Sequence, residues 1–229
     1  MTGLYLIAGL AIIPLIVGGL YVHSRFDALF RRYSREPVRS GITGARLART
    51  MLDSAGLKNV VVEEVNSDLK DHYDPRQKAI RLSRSVSRSA SVAAVGIAAH
   101  EAAHAMQDGT GYPLLKLRDR MAPIAQGAGY LVLPLLFVGV FLGSRLSSVL
   151  VDAALVLFLG IVVFYLVTLP VEFEATSRAM RYIQDHGIAD DSELDGVRQV
   201  LRAAALTYVV AAALALAQFL RLLGLFRRR

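Results

Sequence analysis

Long runs of apolar residues dominate this sequence and restrict the folds open to it. Residues 4–22, 122–143 and 149–171 form three such runs, each close to or above the roughly 20 residues that a helix needs to cross a bilayer. Hydrophobic residues make up 54% of the 229 residues, more than is usual in a soluble domain of this length. The sequence therefore predicts a membrane protein.

The distribution of basic residues predicts the topology. The net charge is +7, and the arginines crowd residues 25–88 and the tail 227–229. By the positive-inside rule the end of the first run is cytoplasmic and the N-terminus is outside. The short connection 144–148 makes the next two runs an antiparallel hairpin that returns to the cytoplasm at residue 171. A fourth segment, 203–220, would place the terminal arginines outside if it spans, against the same rule.

Two further features of the sequence argue against a cleaved signal peptide and against a nucleic-acid-binding protein. The first apolar run lacks the small-residue cleavage pattern of a signal peptide, so we expect a retained anchor. The basic stretch contains no recognisable nucleic-acid-binding motif, which argues against a nucleic-acid partner.

The residues between the first two apolar runs predict a small α+β element on the cytoplasmic side. Residues 43–57 have the periodicity of an amphipathic helix, and 60–65 and 78–82 have the composition and alternation of strands. A turn is predicted at 71–75. A helix from about Ser89 to Gln107 is too polar to span a membrane and is predicted to lie in a core. A polar helix is also predicted from Glu172 to about His186.

The buried helix carries the pattern His-Glu-x-x-His, at His100, Glu101 and His104. Imidazoles four residues apart share one helix face and can bind one metal ion, with the glutamate placed to act on water at that ion. Since the chain has no cysteine, any metal must be held by imidazole and carboxylate groups. The alternative is a pair of core histidines hydrogen-bonded without a metal.

A catalytic zinc site needs a third protein ligand. The remaining donors are carboxylates and the three other histidines, of which His23 and His186 are expected at the surface or the membrane interface. Glu172 and Glu174 stand out because they follow an apolar run, but side chains two residues apart on a helix point about 200° apart. Only one of them can face the metal. The alternative role for Glu174 is an ion pair with Arg178, one turn further on.

Asp71, His72 and Asp74 form a second polar group. His72 could donate to the oxyanion of a tetrahedral intermediate, and strand 78–82 could pair with an extended substrate. The alternative is a turn stabilised by aspartate side chains that bind backbone N–H groups.

Four stretches together carry a resemblance to a known family: DHYDP at 71–75, AHEAAHAMQ at 99–107, TLPVEF at 168–173 and AAALTYV at 203–209. The sequence resembles the YugP-like membrane zinc metallopeptidases of bacteria, which are similar in their motifs to the HtpX and CAAX prenyl protease group. The resemblance implies a Zn²⁺ cofactor with His100 and His104 as ligands, Glu101 as the catalytic acid/base, and Glu172 as the third ligand.

One position departs from the pattern of the HtpX group. There the Glu-Phe-x-Ala motif continues with an aspartate that supports a ligand histidine, whereas this chain has Thr176. Glu174 or another carboxylate is then the expected substitute for that aspartate.

The predicted fold class is a mainly α membrane protein: a helical transmembrane bundle with a zincin-like His-Glu-x-x-His helix and a small cytoplasmic α+β element. We expect five regions: an N-terminal transmembrane helix (1–24), a cytoplasmic α+β region with the motif helix (25–121), a transmembrane hairpin (122–171), a cytoplasmic helix with the third ligand (172–202), and a C-terminal apolar helix with a basic tail (203–229).

The predicted function is that of a membrane-embedded zinc endopeptidase. It would sit as a multi-pass protein in the bacterial cytoplasmic (inner) membrane, with lipid around it, a membrane-associated polypeptide as substrate, and its active site on the cytoplasmic side. The alternative is a non-catalytic membrane module that binds partners and in which zinc is structural or absent.

Overall fold

The computed structural model describes residues 2–66, 71–141 and 145–226, and within them it is mainly helical. The elements in chain order are α1 (Thr2–Tyr33), α2 (Gly44–Ser54), β1 (Val61–Val65), β2 (His72–Asp74), β3 (Ala79–Ser83), α3 (Arg84–Ser87), α4 (Val92–Gly109), α5 (Pro113–Phe141), α6 (Arg145–Asp185) and α7 (Asp191–Phe226). The predicted fold class, a mainly helical membrane protein with a small sheet, is confirmed.

The chain divides into two compact units. The first, called here the apolar-helix unit, comprises Met1–Tyr21, Lys116–Pro170 and Thr207–Arg229. The second, called the site unit, comprises Val22–Leu115 and Val171–Leu206.

Four helices in the described part of the chain, α1, α5, α6 and α7, are long and apolar enough to cross a membrane. Large apolar side chains cover their outer surfaces, and Leu10 and Tyr130 are 75% and 83% exposed. An apolar surface of this extent would be costly in water, whereas lipid tails accommodate it. Inside the apolar-helix unit, a small hydrophobic core includes Val132, Val151 and Phe158.

These helices are longer than the apolar runs that predict them. The predicted third span and the polar helix after it form one helix, α6, which continues through Pro170. The predicted fourth segment is likewise part of the longer α7, and α1 extends to Tyr33. Hydropathy shows only where a chain stops being apolar. A helix can continue beyond that point when its polar side chains also find hydrogen-bond or ion-pair partners. The connection 142–144 and the tail 227–229 lie outside the described residues.

The site unit is built on the packing of α2 against α4 and of α4 against the sheet. Its core includes Leu47, Met51 and Leu52 of α2 and Ile80 and Leu82 of β3, all fully buried.

Helix α4 is the buried core helix that its polar interruptions predict. Ser91 caps it by accepting a hydrogen bond from Ala94 N, as expected for a serine at this position. The predicted boundary near Ser89 is thus correct to within three residues.

The three strands form one sheet in the order β1-β3-β2, with β1 parallel and β2 antiparallel to β3. Two expectations are corrected here. Residues 71–75 contain the short strand β2 rather than a turn alone, because pairing with β3 extends the backbone there. The expected pairing of a substrate with strand 78–82 is wrong, because β3 is the central strand and both of its edges are already paired.

Candidate zinc site

The site unit brings the two motif histidines and one glutamate of α6 together. His100 Nε2 lies 3.2 Å from Glu172 Oε2, and His104 Nε2 lies 3.6 Å from the same oxygen. The two imidazole rings are nearly perpendicular, with their centroids 4.7 Å apart. Glu172 is only 3% exposed. The helical spacing of four residues thus places both rings against one buried carboxylate.

This donor set fits a zinc ion. One ligand atom from each of His100, His104 and Glu172 lies within 4.8 Å of the others. A tetrahedral zinc with bonds of about 2.0–2.1 Å separates its ligand atoms by about 3.4 Å, close to the two nitrogen–oxygen distances above. Two imidazoles and one carboxylate also form a ligand combination that catalytic zinc sites use.

Glu172 and Glu174 have different surroundings, as their spacing on a helix requires. Glu174 Oε1 accepts hydrogen bonds from Nε and Nη2 of Arg178, at 3.0 and 2.6 Å. Its other oxygen accepts a hydrogen bond from Gln107 Nε2 at 2.6 Å. Glu172 therefore faces the two histidines, whereas Glu174 forms the ion pair with Arg178 that its position also predicts.

The carboxylate of Glu101 is held beside this cluster by the sheet. Its Oε2 atom accepts a hydrogen bond from the backbone N–H of Tyr73 in β2 at 2.9 Å. Burial raises the pKa of Glu101 to about 7; His100 and the Tyr73 N–H oppose this shift, and the Glu172 and Asp71 carboxylates add to it. A carboxyl group of this pKa exchanges protons readily near neutral pH.

The polar group at the start of β2 has mainly structural contacts. Asp71 accepts hydrogen bonds from the backbone N–H and hydroxyl of Ser83, and Asp74 accepts from the backbone N–H groups of Arg76 and Gln77. The alternative of a turn stabilised by an aspartate is therefore confirmed for Asp74, whereas Asp71 instead binds the end of β3. His72 is exposed on β2, next to the residue that binds Glu101.

Two other histidines lie outside the cluster. His23 is exposed, 3.9 Å from Asp27 within α1. His186 stacks on the ring of Tyr182, with the ring centroids 3.9 Å apart.

Three contacts at the site were not predicted from the sequence. Besides the Tyr73 N–H, they are Gln107 Oε1, at 2.9 Å from His104 Nδ1, and the Thr176 hydroxyl, at 3.4 Å from His100 Nδ1. Glu174, the expected substitute for the aspartate, therefore contacts Gln107, and Gln107 in turn contacts the ligand histidine. The spacing of Gln107, three residues after His104 on the same helix, was a signal that could have identified it.

We expect zinc content to depend on the three clustered residues. His100→Ala, His104→Ala and Glu172→Ala each remove a ligand atom, so purified protein should lose most of its zinc, measured by elemental analysis. Asp185→Ala is the matched control on α6, because Asp185 is an exposed carboxylate at the end of the same helix, and it should still hold about one zinc per chain. Retention of zinc in Glu172→Ala would contradict the assignment.

Comparisons with known proteins agree with this geometry. The model of the family described as "Putative neutral zinc metallopeptidase" matches residues 8–227. The "Putative membrane protease YugP" of Bacillus subtilis (strain 168) is 44% identical over 197 residues, which cover 86% of this chain and 86% of that protein. No solved structure matches the chain. Zinc is thus the metal that the cluster of His100, His104 and Glu172 could hold, and the chain belongs to this family of neutral zinc metallopeptidases.

Proposed function

We propose that this protein is a membrane-embedded zinc-dependent endopeptidase that hydrolyses peptide bonds of membrane-associated proteins. The observation that carries the proposal is the convergence of His100, His104 and Glu172, with Glu101 buried beside them, in a chain of a zinc metallopeptidase family. A zinc site with a purely structural role does not need an additional ionisable side chain, such as that of Glu101, beside its three ligands.

Each residue of the cluster has a role that follows from its position. His100, His104 and Glu172 would hold the zinc ion, which when bound polarises a carbonyl group and lowers the pKa of water. Glu101 would take a proton from the water whose oxygen attacks the carbonyl carbon. As the carbon–nitrogen bond breaks, Glu101 would return that proton to the leaving nitrogen. The Tyr73 N–H fixes one oxygen of Glu101, which orients the carboxylate for both transfers.

We also assign His72 an accessory part in the reaction. Its side chain is exposed, and the next residue, Tyr73, contacts Glu101. An imidazole N–H at this position could donate to the oxygen of a tetrahedral intermediate.

The membrane setting follows from the order of segments along the chain. Arg31 and Arg32 lie in the last turn of α1, after its apolar residues, and they favour the cytoplasmic side. Glu172 follows Pro170, which ends an apolar run, by only two residues. The protein would therefore be a multi-pass protein of the bacterial cytoplasmic membrane with its site on the cytoplasmic side. A site so close to a spanning segment favours polypeptides that are themselves attached to the membrane.

Glu101→Gln tests the proposed chemistry. The amide cannot accept a proton from water, so cleavage of an unfolded test protein such as casein, or of a membrane-protein substrate, should fall by about 10²–10⁴-fold. Zinc content should stay near one per chain, because Glu101 is not a ligand.

The alternative, a non-catalytic membrane module, predicts a different result. Under that alternative, purified wild-type protein loaded with zinc cleaves nothing, and Glu101→Gln complements a deletion strain as well as the wild type does.

His72→Ala should lower kcat for the same substrate by roughly tenfold or more and leave KM nearly unchanged, since the oxyanion exists only in the transition state and intermediate. His23→Ala is the matched control, because His23 is also exposed but lies in α1. Equal rates for the wild type and His72→Ala would remove His72 from the mechanism.

Cysteine labelling tests the topology, because the chain has no cysteine of its own. Ser40→Cys, at an exposed position in the site unit, should react with a membrane-impermeant maleimide only after spheroplasts are lysed. Ser148→Cys, near the predicted external turn, should react in intact spheroplasts. The reverse pattern would place the site outside the cell.

A further inference from the structure

The side chain of Gln107 is a buried polar group that the proposed reaction does not use. It is fully buried near the end of α4, three residues after His104. Burying an amide is unfavourable unless its groups find partners, and each partner seen here belongs to the site or to α6. Its position therefore points to a role at the zinc site.

The partners of Gln107 determine which way its amide faces. The Nε2 atom lies 2.9 Å from the carbonyl oxygen of Val171 and 2.6 Å from Glu174 Oε2. A carbonyl oxygen and a carboxylate oxygen can only accept hydrogen bonds, so the amide NH₂ must point to them. The amide oxygen then faces His104 Nδ1 at 2.9 Å.

This orientation fixes the tautomer of His104. An amide oxygen can only accept, so Nδ1 of His104 must carry the hydrogen. The lone pair of the neutral imidazole is then on Nε2, the atom that faces Glu172 Oε2. In this neutral form Nε2 can bind a metal without the ring turning.

We infer that Gln107 is a positioning residue: it holds His104 in the Nδ1–H tautomer for zinc, and Glu174 in turn holds the amide of Gln107. Arg178 completes the chain of contacts by binding the other oxygen of Glu174. The inference rests on the proposed zinc site and adds residues to it that do not touch the ion.

The other ligand histidine has a different kind of support. Thr176 Oγ1 lies 3.4 Å from His100 Nδ1, and a hydroxyl can donate or accept. This long contact does not select a tautomer. Of the two histidines, His104 is therefore the one whose contact selects a tautomer.

Gln107→Met tests this role, because it keeps an unbranched side chain of similar length and removes both the acceptor and the donor. Zinc affinity, measured by competition with a chelator at one pH, should fall by about 10–100-fold, the usual effect of losing such a partner. Ser91→Ala is the stability control, since it removes the cap of the same helix far from the ligands. It should lower the melting temperature and leave zinc affinity within about twofold of the wild type.

Variants at position 174 separate positioning from packing. Glu174→Gln keeps an oxygen that can accept from Gln107 Nε2, so its zinc affinity should stay within a few-fold of the wild type. Glu174→Ala removes that acceptor and should lower zinc affinity, but by less than Gln107→Met does, because the Val171 carbonyl oxygen still accepts from the same amide. Unchanged affinity in Gln107→Met, or equal affinities of Glu174→Ala and Gln107→Met for zinc, would overturn the inference.

The tautomer can be read directly in the metal-free protein. With ¹⁵N-labelled histidine, only five side chains contribute to the spectrum, and His104→Ala assigns its signal. At a pH high enough to keep the imidazole neutral, we expect His104 to carry its hydrogen on Nδ1 in the wild type and to shift toward the Nε2–H form in Gln107→Met. If His104 has the same tautomer in the wild type and in Gln107→Met, the inference is wrong. Zinc affinity and the NMR spectrum are measured without peptide cleavage. If Glu101→Gln cleaved its substrate as fast as the wild type, the peptidase proposal would be wrong, but these two measurements would still test the role of Gln107.

Discussion

The buried carboxylate of Glu172 between two imidazoles is the interaction on which the rest of the site depends. A buried anion is tolerated only when positive charge or hydrogen-bond donors surround it. His100 and His104 provide nitrogen atoms at 3.2 and 3.6 Å, and a dication among the three satisfies the carboxylate more completely than two neutral rings do. Around them the helices carry small residues, including Ala99, Ala103 and Ala175, all fully buried. Small side chains leave room for the polar ones to meet.

The proposed ligands could be identified from the sequence because their chemistry is local or carried by a motif. His100 and His104 are four residues apart on one helix, so the spacing alone places them on one face. Glu172 lies 68 residues beyond His104 in the chain; its position after an apolar run made it one of two candidates, and the resemblance to a family motif chose it. The prediction of Glu172 rather than Glu174 as the third ligand agrees with the structure, in which Glu172 contacts both imidazole rings.

The contacts that sequence reasoning missed depend on tertiary register. The Tyr73 N–H reaches Glu101 only because β2 pairs antiparallel with β3 at the register His72 to Arg81, and no local pattern encodes that register. The error at strand 78–82 has the same origin, since alternation marks a strand but does not say whether the strand is central or at an edge. Helix ends were missed for another reason. The continuation of α6 through Pro170 could not be predicted from hydropathy, which marks only where the chain stops being apolar.

Two glutamates of α6 contribute to the site in different ways. Glu172 faces the rings, and Glu174, two residues later, faces Gln107, which contacts His104 from the side opposite its ligand atom. Since both carboxylates are fixed to the same backbone, a rotation or shift of this part of α6 would move a ligand and the support of another ligand together. Val171 adds a third connection, because its carbonyl oxygen accepts from the same amide. The position of α6 against α4 within the site unit therefore controls both the geometry around the metal and the tautomer of His104, so that partial displacement of α6 would weaken two ligands at once.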